Sequence, residues 1–98
     1  MISNVMPIQN FQHNGLKKFF ESGSKSSIQP SHAKKLELLL DRLDAAITPL
    51  DMNFPGSQFH LLKGNLKGFC AVHVNANWVL IFRFEDGNAY DVDYLDYH

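Results

Sequence analysis

Residues 68–95, GFCAVHVNANWVLIFRFEDGNAYDVDYL, decide the fold. Apolar and polar side chains alternate here with period two, and the alternation is interrupted at Ala76-Asn77 and at Asp86 to Asn88. Alternation broken by short polar pairs is the pattern of strands joined by tight turns. It predicts strands at Gly68 to Asn75, Trp78 to Glu85 and Ala89 to Leu95. A further strand, Phe59 to Leu62, precedes them across a turn at Gly64 to Lys67, and short connections throughout make an antiparallel meander. In the Trp78 strand, Trp78, Leu80, Phe82 and Phe84 share one face, with Val79, Ile81 and Arg83 on the other.

Upstream the period changes. From Ser31 to about Thr48, Leu36, Leu39, Leu40, Leu43 and Ile47 recur at steps of three and four, the stripe of an amphipathic helix, with Ser31 as its cap and Pro49 as its stop. A shorter helix, capped by Asn14, carries Leu16, Phe19 and Phe20 and ends at Gly23. Ser22 to Pro30 and Leu50 to Gln58 read as loops, and Met1 to Phe11 as a first edge strand. Helices first and sheet second is an α+β arrangement, two N-terminal helices covering one face of a sheet of four to five strands. With 98 residues and 45% hydrophobic content, one core is expected, and hence a single domain over 1–98.

Composition narrows the function classes. Cys70 is the only cysteine, so no intramolecular disulfide forms, and the five histidines lack the cysteine partners of a structural zinc site. A reducing cytoplasm suits such a chain. Met1 to Val5 has no leader character, and no stretch approaches the roughly 20 apolar residues that span a bilayer, so neither export nor a membrane partner is expected. Net charge is −1 but unevenly spread: residues 1–67 hold eight Lys or Arg against five acids, whereas residues 68–98 set Arg83 against five acids. That asymmetry suits an RNA backbone on one surface and a basic partner on another, and is also what ordinary solvated faces look like.

Four motifs follow in order: Phe59-His60-Leu61-Leu62-Lys63-Gly64, Asn77-Trp78, Phe82-Arg83-Phe84-Glu85-Asp86-Gly87 and Asp96-Tyr97-His98. Gly15-Leu16-Lys17-Lys18, Phe20-Glu21-Ser22-Gly23, His32-Ala33-Lys34-Lys35-Leu36 and Leu43-Asp44-Ala45-Ala46 extend the set over nearly the whole chain. The ordered set resembles the HigB-type toxins of the RelE/ParE superfamily. The resemblance implies two helices on a curved, mixed, largely antiparallel sheet. It also implies the toxin half of a type II toxin-antitoxin system: a metal-independent endoribonuclease, without a cofactor, that cuts mRNA on the ribosome and halts growth by blocking translation. The implied partner is a HigA-like helix-turn-helix antitoxin, through which alone the toxin meets operator DNA.

Cleaving RNA without a metal needs a base for the ribose 2′-OH, a cation beside the non-bridging phosphate oxygens and an acid for the departing 5′-oxygen. By the resemblance, His60, Lys63, Asp96, Tyr97 and His98 form the catalytic set. His60 and His98 share the acid and base roles in an order the sequence leaves open, and Lys63 stabilises the phosphorane. Asp96 orients a histidine, and Tyr97 donates to phosphate or stacks on a base. Apart from the resemblance, a Tyr-His ending is an ordinary chain end, and His60 with Lys63 an exposed strand end. Trp78 and Cys70 alternate with core positions and read as packing residues.

The chain departs from the family where arginines stand beside the strand tryptophan; it has Val79 and Asn75 there. RNA contacts are then expected from Arg83, from His73 and Asn75 on one parity of their strand, and from Lys67. The departure keeps two alternatives in view. One is a catalytically impaired relative that still binds antitoxin or ribosome; the other is a ParE-like gyrase poison, against which the Asp96-Tyr97-His98 ending speaks.

Overall fold

A computed structural model describes residues 7–97. Residues 1–6, half of the expected first strand, and His98, an expected catalytic residue, lie outside the described residues. Helix α1 (Asn14–Ser22) starts one residue away from the expected cap: His13 Nδ1 accepts the N–H of Leu16 at 2.9 Å, satisfying a donor that the first helical turn leaves open. Gly23 ends α1 at φ 81, a left-handed position that costs glycine nothing, and its N–H donates to Phe19 O. Gly15 has a different reason to be glycine. A Cβ there would sit 2.2 Å from Ser27 Cβ, so α1 and the following loop touch only because that side chain is missing.

Helix α2 (Ala33–Ala45) is led in by a 3-10 turn, Pro30–His32, that contains Ser31; Ser31 therefore does not cap α2 as expected. The proline at the head of that turn has no N–H to leave unpaired. The apolar stripe Leu36, Leu39, Leu40 and Leu43 is fully buried, each side chain contributing roughly 1.5–3 kcal/mol. The helix ends at Ala45, short of the expected Thr48. Asp51 accepts from Ile47 N at 2.8 Å and Thr48 N at 3.0 Å and opens a separate 3-10 turn, Pro49–Met52. Ile47 thus leaves the stripe and is 73% exposed.

The sheet comprises β1 (His60–Leu61), β2 (Cys70–Asn75), β3 (Trp78–Glu85) and β4 (Asn88–Asp96), in that spatial order and antiparallel throughout. Beyond β4, Ile8 and Phe11 bridge in parallel to Ala89 and Val92, with Gln9 N and Gln12 N donating to Ala89 O and Val92 O at 2.8 Å. The expected mixed pairing at that edge is present. One face of the sheet, through Val72, Leu80, Phe82, Val92 and Tyr94, packs on the leucines of α2.

Two registers slip. β2 carries one extra residue between His73 and Asn75, and β4 carries one at Asp91, which sits at φ 54 opposite the Ile81 to Arg83 step. The face away from the helices holds a second core in which Leu62, Ala71, Val79 and Ile81 pack under Leu66, Phe69 and Leu95. Val79 has no exposed area at all. The 62–69 segment folds over this part of the face, so Val79, which stands where the family has an arginine, is a core residue. Among the described residues no helix is long and apolar enough to cross a membrane.

Candidate active site

β1 is short, and its position is fixed from both ends. His60 lies opposite Ala71 in the β1–β2 register, and Ser57 O accepts the N–H of His73 at 2.9 Å just before β1 begins. Between these anchors Gln58 adopts φ 52, and its carbonyl lies 3.0 Å from His60 Nδ1. At the end of β2 the turn residue Ala76, at φ 43, brings its carbonyl 3.1 Å from His73 Nδ1. A carbonyl only accepts, so in both imidazoles Nδ1 carries the proton and Nε2 is the nitrogen left for a ligand.

The two rings stand side by side with centroids 5.6 Å apart. The Tyr97 ring is 6.3 Å from His60, held by its N–H donating to Asn77 O at 2.6 Å. Three separate stretches of chain thus contribute His60, His73 and Tyr97 to one patch on the sheet face opposite the helices. Asp96 is exposed at the end of β4, opposite Trp78. Lys63 and Lys67 are exposed and bracket the 3-10 turn Gly64–Leu66. They also line a shallow hollow of about 400 Å³ floored by Leu61, Leu62 and Phe69.

Two of the expected RNA contacts lie apart from this patch. Arg83 donates from Nε to Asp91 at 2.7 Å and from Nη1 to Glu85 at 3.2 Å, and its guanidinium covers the Tyr90 ring at 4.9 Å. It is four residues along β3 from Val79, the partner of His73, a span of about 13 Å at the usual strand rise. Asn75 does not share a face with His73 as the sequence parity suggested. The bulge in β2 pairs Asn75 with Trp78 and brings its amide 3.5 Å from His32 Nε2. His32 itself is buried, 2.6 Å from Tyr94 OH and edge-on to the Trp78 and Tyr94 rings. Burial there pushes the Tyr94 hydroxyl pKa up. That group is packing, formed by side chains on the helix side of the sheet.

The contact between His60 and His73 is what reading the sequence missed. Both residues were singled out, but their adjacency depends on the His60–Ala71 register, which a turn of uncertain length leaves unspecified. Among the described residues, no three His, Cys, Asp or Glu side chains converge to hold a metal.

A match to the RelE-like toxins of the type II toxin-antitoxin system HigB runs over residues 9–98, from the strand-like N-terminal segment through the terminal triplet. The chain belongs to this family. Among similar HigB proteins, "Endoribonuclease HigB" of Proteus vulgaris is 35% identical over 91 residues, covering 93% of this chain and 99% of the relative. "Toxin HigB-1" of Vibrio cholerae serotype O1 (strain ATCC 39315 / El Tor Inaba N16961) is 39% identical over 94 residues, covering 90% of this chain and 94% of the relative. Two helices against a four-stranded antiparallel sheet agree with a RelE-like toxin. Membership in a type II HigB family makes the chain a toxin with a cognate antitoxin.

Proposed function

We infer that this HigB-like toxin is a ribosome-dependent, metal-independent endoribonuclease that cuts mRNA in the cytoplasm and so blocks translation. The observation that carries the reading is the His60 imidazole, its Nδ1–H committed to Gln58 O and its Nε2 left for a ligand beside a second imidazole. The similarity to a protein named an endoribonuclease supports it.

In the step proposed, His60 Nε2 takes the proton of a ribose 2′-OH while that oxygen bonds to the adjacent phosphorus. The bond from phosphorus to the 5′-oxygen breaks, and the leaving oxygen takes a proton from the C-terminal triplet, with His98 as the donor. Products are a 2′,3′-cyclic phosphate and a 5′-hydroxyl. Lys63 stabilises the charge gathered on the non-bridging oxygens, Asp96 orients its neighbouring histidine, and Tyr97 donates to phosphate or stacks on a base. The hollow beside Lys63 and Lys67 has an apolar floor suited to a base and a basic rim suited to its phosphates. The antitoxin is proposed to be a HigA-like helix-turn-helix protein that silences the toxin and alone carries the pair to operator DNA.

Expression from a tight promoter, with mRNA 5′ ends mapped by primer extension with and without translation, tests the reading. New ends on translated messages only, lost in His60→Ala and in His98→Ala, are expected. Intact messages in growth-arrested cells would overturn it, and gyrase-linked DNA damage in the same cells would point to the ParE-like alternative.

A further inference from the structure

The transition state of the proposed cleavage gathers negative charge on two non-bridging oxygens and needs cations fixed against them. The residues around the patch supply few. Val79 is fully buried, Asn75 is turned toward His32, and Arg83 is bound by Asp91 and Glu85 further along β3. Lys63 and Lys67 are exposed, flexible side chains, and no contact among the described residues fixes either ammonium against His60.

His73 is different. Its backbone N–H is held by Ser57 O, its Nδ1 by Ala76 O, and its ring lies against His60, so its position and its free Nε2 are both fixed by structure. We propose that His73 is a further catalytic residue of this toxin: its imidazolium, donating from Nε2, holds the non-bridging oxygens of the phosphate that His60 activates for attack. This rests on the endoribonuclease reading. In this step one imidazole of the pair serves as base and the other as phosphate ligand, two roles that the side-by-side rings bring to one patch. Around His73 stand His60 from β1, the apolar Val79 from β3 and the Ala76 carbonyl of the turn. Among the described residues, the other titratable groups on neighbouring segments are Asp96 and Tyr97 at the end of β4 and Lys63 and Lys67 around the Gly64–Leu66 turn.

The test uses purified toxin and ribosomes programmed with a defined message, under single-turnover conditions. His73→Asn keeps an amide donor for Ala76 O but carries no cation, and is expected to slow cleavage about 100-fold with an unchanged melting temperature. His73→Arg restores a permanent positive charge and is expected to return the rate to within about tenfold of wild type. Wild-type rates in a folded His73→Asn, or no recovery in a folded His73→Arg, would overturn the role of His73 while leaving the endonuclease reading intact. No cleavage by the wild type would overturn both.

Discussion

At Val79 a single side chain decides between two ideas about this toxin. The position lies beside the strand tryptophan, where an arginine would suit an RNA-binding face, and restoring one looks like a route to higher activity. The structure argues otherwise: Val79 is enclosed by the second core, next to Leu62, Ala71 and Ile81. Val79→Arg places a charge with no partner in that layer and is expected to cost about 3 kcal/mol or more, read as a lower urea midpoint, with no gain in cleavage. A stable and more active variant would show that the 62–69 cover opens readily. Cys70 offers a gentler test on the other face of the sheet. It is 4% exposed, and burial pushes its thiol pKa up, so at neutral pH it stays a protonated, covered sulfur. Alkylation by iodoacetamide should be slow in the native protein and rapid in denaturant; fast native labelling would mean that the sheet opens at β2.

Between elements, contacts as small as one missing methyl group matter. Gly15→Ala drives a Cβ into Ser27 and to within 3.0 Å of the His13 ring that caps α1. The expected cost is about 1–3 kcal/mol, seen as a fall in melting temperature, because the loop must retreat from the helix. An unchanged melting temperature would mean that the 23–29 loop is not held against α1. The same scale explains what could be read in advance. Strands β2 to β4 and the α2 stripe were legible because their periods repeat over many residues, and the β3 bounds match the expectation to the residue. Bulges break a period by a single residue and leave no compositional mark. The one in β2 sent Asn75 to the helix side, away from His73; the one at Asp91 gave Arg83 its carboxylate partner. The end of α2 was misjudged for a related reason: Asp51 binds backward to Ile47 and Thr48, a local bond that outcompetes another turn of helix. In the patch, His60 and Tyr97 were visible as residue types. Only the register could show that His73 stands beside them.

Across the whole molecule, one carboxylate joins three parts of the chain. Asp91, at the bulge in β4, accepts from Asn10 and Gln12 of the N-terminal edge segment, each at 2.8 Å, and from Arg83 of β3 at 2.7 Å. The Asn10 amide, the Arg83 guanidinium and the Gln12 amide together lower its pKa from 3.8 to about 2. A folded-state pKa below the unfolded one means that the carboxylate stabilises the fold above pH 4, and that this contribution drains away as pH falls from about 4 toward 2. With 22% of its side chain exposed, solvent reduces the effect to the order of 1 kcal/mol. Asparagine tolerates the left-handed backbone at this position and keeps the size of the side chain, so Asp91→Asn removes the charge and turns one of the two acceptor oxygens into a donor. Urea titrations should find the variant less stable than wild type by about 1 kcal/mol at pH 6, with the gap narrowing below about pH 4 and closing as pH falls through about 2. A gap that stays constant with pH would mean that the charge of Asp91 does not couple the N-terminal segment to the sheet, leaving the backbone bonds at Ala89 and Val92 to hold that edge.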